Sequence, residues 1–411
     1  MKSIAVLCCC LWTGFATAQS TYHTPPTWTI DLMKEQHQYA MLSPLVMDDG
    51  RRVTTADEWN AVRRPQLLQQ WTKILGKLEP DAVDKKWFGD ITKAVEVRRE
   101  KREGYTRIEL QLPMETDFLQ PHVLLIPDNA QPGKCPAVIA WTSTGPDYAE
   151  PEKWWGARLA QRGCVVLTGW SFICNYRDAT SYRNGVSEKV YERFGHWLPM
   201  AKMVHDVQRE AEFLRSLPEV DAEHIGFIGF SLSAKSALYV AAFAPEICAT
   251  VSIDPHLALH GDSNYHDPWY LDWKRPFEDI HTDDYPVKEL RGTTWSLLDR
   301  DPTRPGFEHD HHELLALAAP RALMVIGCST DKETASHSDD RQSVACVTGA
   351  KEVYELLNVA SRFEYVPLTC GHQATSPEID AAWQRFFSRW LPGTASVGES
   401  KNCSLNYGTG N

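Results

Sequence analysis

The sequence predicts a mixed α/β fold, with a mostly parallel central sheet, helices on both faces and a helical N-terminal extension. Two observations carry this. Short runs that are apolar throughout, such as Ala137-Val-Ile-Ala-Trp141 and Ile225-Gly-Phe-Ile-Gly229, alternate with stretches of helical spacing. Strands of that kind are buried on both faces, as in a parallel sheet held between two helical layers. Ahead of them, residues 94–126 alternate apolar and polar side chains, the pattern of strands with one solvated face.

In chain order, residues 1–18 read as a cleavable leader. Lys2 is its positive end, 4–15 its apolar run, and Ala16-Thr17-Ala18 the small-residue cleavage site before Gln19. That run is well short of the ~20 residues that cross a bilayer, and no later segment is long enough, so no membrane span is expected. Cys8, Cys9 and Cys10 lie inside it, but Val6-Leu7 lacks the small residues that precede a lipid-bearing cysteine. A secreted or periplasmic location is therefore expected, rather than a lipid anchor. Residues 19–93 read as the helical extension, with Trp59, Leu67, Leu68, Trp71 and Ile74 at helical spacing and Thr55 or Asp57 as cap.

Residues 94–392 read as one catalytic domain. Exposed-face strands are expected at 95–98, 106–112 and 122–126, then a polar turn at 128–134. Buried strands follow at 137–141, 165–168, 225–229, 250–253, 322–326 and 363–366, with helices at 154–162, 200–217, 234–244, 353–357 and 379–390. Two stretches, 171–198 and 255–312, are rich in Trp, Tyr, His and Asp and too long to be simple connectors. They are expected to wall an active site. The Gly/Ser/Asn-rich tail 393–411 is expected to be loose.

Composition narrows the function. The chain has 411 residues, 43% hydrophobic and 23% charged, which excludes a disordered or fibrous protein. Its formal net charge of −12 repels polyanions, so no nucleic-acid partner is expected. Fifteen tryptophans keep a carbohydrate ligand in view, because indoles stack on the apolar faces of sugars. Eight cysteines follow the leader, at spacings that match no zinc motif, and export favours disulfides. Cys164 and Cys248 open apolar runs and read as buried thiols. A Cys328–Cys370 or Cys328–Cys346 bridge would brace the loops near the proposed site.

The chemistry centres on Ile225-Gly-Phe-Ile-Gly-Phe-Ser-Leu-Ser-Ala-Lys235, where a buried strand ends at Gly229 and an Ala-rich helix begins at once. A serine on such a strand-to-helix turn is a nucleophile elbow, and it needs small residues two before and two after it. Gly229 and Ser233 supply them around Ser231. The hydroxyl is a weak nucleophile and needs a base oriented by a third group. His372, in the loop Pro367-Leu-Thr-Cys-Gly-His372 after the last strand, is the base. Asp331, after the 322–326 strand, is the leading acid. Asp254, at the end of the preceding strand, is the alternative, with Asp339 and Asp340 nearby. The oxyanion would be met by the amide of Leu232 and by the 142–145 loop, chiefly Thr142 and Ser143.

These residues match the α/β-hydrolase order of nucleophile, acid and base. Residues 218–231 resemble the nucleophile region of dienelactone-hydrolase-like proteins and carbohydrate esterases. His312-Glu-Leu-Leu-Ala-Leu-Ala-Ala-Pro-Arg-Ala-Leu323 resembles the run before the acid strand in acetyl xylan esterase-like and glucuronoyl esterase-like proteins. With Cys370-Gly-His372 and residues 386–391, the resemblance covers about 94–392. Glucuronoyl esterases carry Ser-Arg-x-Gly-Lys at the elbow. Lys235 matches that lysine and is a candidate for substrate contact, whereas Leu232 stands where the family has an oxyanion-assisting arginine. The resemblance also favours Asp254, since the family often places its acid there.

Trp141, Trp170, Trp197, Trp269 and Trp273 are candidates for a sugar cleft, with core filling as the competing role of each. Glu308-His-Asp-His-His-Glu313 could hold a metal, but neighbours on one segment point apart, so it reads instead as a polar helix start facing the cleft. Ser329-Thr-Asp-Lys332 and Gly261-Asp-Ser263 match motifs of other hydrolases without their partner motifs. The sequence reading is thus a secreted serine esterase that hydrolyses a carboxylic ester on a plant polysaccharide or related carbohydrate, with a small-molecule or polysaccharide ester as substrate and no metal or organic cofactor needed; it assigns no oligomeric state. A prolyl-oligopeptidase-like peptidase and a non-catalytic carbohydrate-binding relative are the alternatives.

Overall fold

A computed structural model of the chain describes residues 42–171, 193, 199–255, 257, 309–329 and 341–393, with 77, 83 and 146 excepted. The leader, the start of the extension, the tail, and nearly all of 172–198 and 258–308 lie outside the described residues. Among those described, one sheet holds β1 (Val95–Arg102), β2 (Tyr105–Glu115), β3 (Phe118–Pro127), β4 (Cys135–Trp141), β5 (Val165–Gly169), β6 (Val220–Phe230), β7 (Ala249–Ile253), β8 (Ala322–Ser329) and β9 (Phe363–Thr369). Their spatial order is β1-β2-β3-β5-β4-β6-β7-β8-β9. β1, β2 and β3 pair antiparallel, as does β3 with β5. Every pair from β5 onward is parallel.

The change of hydropathy pattern near residue 135 marks this change of pairing. β4, β5 and β7 are buried at every position. Alternate side chains of β4 feed separate cores: Ala137, Ile139 and Trp141 on one face, Val138 and Ala140 on the other. β1 runs along one edge, mostly exposed, and its sequence Val-Glu-Val-Arg-Arg-Glu-Lys-Arg places charges along that edge.

The helices are α1 (Arg64–Leu75), α2 (Ala157–Gln161), α3 (Pro199–Arg215), α4 (Leu232–Phe243), α5 (His311–Ala318), α6 (Arg341–Leu356) and α7 (Pro377–Trp390). α4 is buried on all sides, which its Ala-rich, uniformly apolar sequence allows. α7 is amphipathic: Ile379, Ala382, Trp383, Phe386 and Phe387 face inward, and Ser376 caps its first turn by accepting from the Ile379 amide. Before α1, Thr55 caps the short helix Ala56–Glu58, and the π-helical turn Trp59–Arg63 follows. α1 buries Leu67, Trp71, Ile74 and Leu75. Trp71 donates from Nε1 to Glu313 of α5 at 2.7 Å, tying this helix to the main body. α6 extends well beyond the residues 353–357 expected to be helical, because its first half is too polar to show the helical period clearly.

Cys135, Cys164, Cys248, Cys328, Cys346 and Cys370 carry thiols, with no disulfide among the described residues. The bridges considered for Cys328 are therefore absent. Cys328 meets Cys370 as a thiol and also lies beside Asp254; its thiol is pushed far up by burial first, by that carboxylate second and by Cys370 third. No described helix is long and apolar enough to cross a membrane.

Candidate active site

The site stands at the ends of the central parallel strands. β6 delivers the chain to Ser231, where it turns abruptly into α4. Ser231 has φ 58° and ψ −114°, a conformation that costs a non-glycine residue about 1–3 kcal/mol. Its amide donates to Ile253 and its carbonyl accepts from Lys235, both at 3.0 Å, so neighbouring backbone holds the turn in place. A Cβ on Gly229 would lie 2.4 Å from the Ser233 carbonyl oxygen, so only glycine fits there. Ser233 is buried, and its hydroxyl donates to the Thr142 carbonyl, fastening the elbow to the loop after β4.

His372 follows β9, after Gly371 at φ 72°. Its Nε2 lies 3.0 Å from Ser231 Oγ and its Nδ1 lies 2.6 Å from Asp254 Oδ2. With the carboxylate ionised, Nδ1–H donates to Asp254 and the Nε2 lone pair accepts the serine proton, a tautomer assigned from these partners. Phe230 flanks the ring, with centroids 4.5 Å apart. Exposure rises along the chain of contacts, from 0% for the Asp254 side chain to 35% for that of His372.

Asp254 is the first residue past β7. Its amide continues the ladder to Ile326 at 2.8 Å, while its φ of 56° turns the side chain toward His372. Aspartate is among the few residues that take this conformation readily. Its Oδ1 accepts from the Cys328 amide at 3.3 Å. Asp331, the leading acid on sequence grounds, lies outside the described residues, as do Asp339 and Asp340. Among the described residues, the acid that touches His372 is Asp254.

The other candidates divide. Leu232 begins α4, so its amide has no acceptor within the helix and is available at the elbow. The Thr142 amide is already committed to the Gly169 carbonyl at 3.0 Å, and its hydroxyl to Glu150 at 3.1 Å. Thr142 is thus corrected from an oxyanion donor to a structural residue. Ser143, half-buried one residue later, keeps the candidacy.

Trp141 is also corrected. It is fully buried, and its Nε1 donates to Glu210 of α3 at 2.7 Å, so it fills core rather than a cleft. Glu210 also faces His122 Nε2 at 2.9 Å, a buried pair that nothing in the local sequence announced. Lys235 is 2% exposed, withdrawn from solvent beside the charge of Asp310. Trp170 is half-buried, with its ring edge-on to Tyr148. Trp197, Trp269 and Trp273 lie outside the described residues. Asp310 caps α5 as a helix start, but Asp310, His311, His312 and Glu313 are all buried, so this segment does not face open cleft.

The geometry has known parallels. Residues 200–358 match the family model described as glucuronyl esterase, fungi. The chain is 25% identical over 406 residues to a 4-O-methyl-glucuronoyl methylesterase from Schizophyllum commune, covering 95% of this chain and 91% of that one. A glucuronoyl esterase from Solibacter usitatus superposes with a TM-score of 0.62 at 18% identity, over 87% of this chain and 98% of that one. A Ser-to-Ala mutant of glucuronoyl esterase from Sporotrichum thermophile, in complex with methyl 4-O-methyl-beta-D-glucopyranuronate, superposes with a TM-score of 0.54 at 14% identity, over 87% and 89% of the two chains. The chain has the α/β-hydrolase fold and is a carboxylic ester hydrolase of the carbohydrate-esterase kind.

Proposed function

We propose that Ser231, His372 and Asp254 form the triad of an exported esterase that cleaves uronic-acid esters on plant polysaccharide. The observation that carries the triad is the unbroken chain of contacts from Ser231 Oγ through His372 to buried Asp254. Ser231 Oγ bonds to the ester carbonyl carbon while its proton passes to His372 Nε2. Asp254 holds the ring in the productive tautomer and offsets the charge of the imidazolium. The oxyanion meets the amide of Leu232 and that of Ser143. As the carbon–alkoxide bond breaks, His372 gives its proton to the leaving alcohol. Water, deprotonated by the same nitrogen, then releases the acid.

The uronate class rests on the named relatives, which act on glucuronoyl esters. Leu232 in place of their arginine leaves the oxyanion to backbone amides. Removal of residues 1–18 and export fit a polysaccharide substrate, which cannot enter a cell. The test compares the methyl ester of 4-O-methyl-glucuronic acid with 4-nitrophenyl acetate, for the mature protein and Ser231→Ala. A fluorophosphonate label is mapped by mass spectrometry in parallel. The variant should lose at least about 10⁴-fold in turnover, the label should sit on Ser231, and the uronate should have the higher kcat/KM. Label elsewhere or turnover surviving in the variant overturns the triad. Acetate turnover without uronate turnover overturns the substrate class alone.

A further inference from the structure

Away from the triad, one group of side chains has the chemistry of a metal site. Asp310, the cap of α5, His312 in its first turn and Cys346 of α6 place one donor atom each within 4.8 Å of one another, and all three are buried. Cys346 Sγ lies 3.6 Å from Asp310 Oδ1. A tetrahedral zinc with bonds of about 2.0–2.3 Å holds its donors roughly 3.3–3.8 Å apart, so small side-chain rotations close the remaining distance.

His312 is the independent witness. Its Nε2 lies 2.8 Å from the Leu42 carbonyl, an acceptor only, so Nε2 carries the ring hydrogen. In the neutral ring, Nδ1 is then a bare lone pair, and that atom is buried with no hydrogen-bond partner while the residue is 2% exposed. Buried lone pairs of this kind are rare in folded proteins. A ring that donates one nitrogen to a backbone carbonyl while presenting the other is also the usual arrangement of a metal-bound histidine.

We infer that Asp310, His312 and Cys346 bind one divalent ion of the zinc class, with the fourth position left to water. Thiolate, imidazole and carboxylate suit a borderline-soft ion such as Zn²⁺ rather than Mg²⁺ or Ca²⁺. Binding replaces the thiol hydrogen of Cys346, which leaves to solvent as a proton, and uses the His312 lone pair. One thiolate and one carboxylate supply two negative charges against the two of the ion. The ion joins α5 to α6 at the point where the N-terminal segment arrives through Leu42. Packing there is close: a Cβ on Gly349 of α6 would lie 3.2 Å from Pro44 and 3.4 Å from the His312 ring. The role that follows is structural, a clamp between the extension and the two helices.

The test uses the untagged mature protein. Metal content measured by plasma mass spectrometry after zinc loading and gel filtration should be one zinc per chain. Cobalt titrated into chelator-treated protein should give a thiolate-to-cobalt charge-transfer band in the near ultraviolet. Cys346→Ser should abolish the band, and His312→Gln should weaken cobalt binding at least tenfold. Protein that retains no zinc and shows no cobalt band overturns the site, leaving only the Cys346–Asp310 hydrogen bond between these side chains. Zinc retained without the band, or undiminished in Cys346→Ser, places the ion elsewhere and overturns it equally. The parent protein's band decides the question even if a variant fails to fold.

Discussion

His372–Asp254 and His122–Glu210 are the same chemical pair in two settings. Both join an imidazole to a carboxylate at hydrogen-bond distance, 2.6 Å in the first and 2.9 Å in the second. In the first, the second ring nitrogen faces a serine hydroxyl on a strained turn, and the histidine side chain is 35% exposed. In the second, the other ring nitrogen faces the Gln120 carbonyl at 3.0 Å, and both side chains are fully enclosed. Nδ1 of His122 donates to that carbonyl. Burial pushes the Glu210 carboxyl up, while His122 and Trp141 pull it down. A histidine–carboxylate contact alone is therefore not a catalytic signature. It becomes one where a nucleophile meets it and solvent or substrate can enter.

Substitutions can break or sharpen this contrast. The largest effect is expected at Asp254. Asp254→Asn should lower kcat by about 10³–10⁴-fold, since the ring loses its orienting charge. Asp331→Asn should stay within a few fold, and the reverse ranking would return the acid role to Asp331. Next comes Glu210→Ala, which strands His122 and Trp141 Nε1 inside the core. Losing one member of a buried pair costs about 3–5 kcal/mol. Denaturant unfolding should show that loss, while kcat of the folded fraction changes little. A large fall in kcat without lost stability would mean that the two pairs are not separate in function.

The smallest effect concerns pH. His205, on the same helix as Glu210, stacks on Phe88 with centroids 4.2 Å apart. Burial holds its pKa below the ordinary 6.5, partly opposed by Asp206 and reinforced by Lys202 and Arg209. The folded state thus resists a proton that the unfolded chain accepts. The contribution to stability is complete above pH 6.5 and is lost as pH falls from 6.5 toward the lower folded value. Between about pH 7.5 and 5.5 the parent's thermal transition should fall more than that of His205→Phe, which keeps the stacking. Equal slopes would remove His205 from the account.

Much of this protein was legible in the residues themselves. Runs that are apolar throughout mark the buried strands, because a strand covered on both faces has no polar side. The change to alternation before residue 135 marks the antiparallel lead-in. Gly229, Ser231 and Ser233 mark the elbow, because tight backbone contact there admits only small side chains. His372 was readable from its place after the last strand. What tertiary structure decided are pairings between residues far apart in the chain. Asp254 follows β7, and only its left-handed turn shows that it meets a histidine 118 positions away. Trp141 and Thr142 looked available until Glu210 and Gly169 were seen to hold them. The donor that completes the Asp310–His312 group, Cys346, comes from another helix. Local sequence reports periodicity and steric tolerance, because those forces act over a few residues. Hydrogen-bond partners and metal ligands are chosen by approach in space.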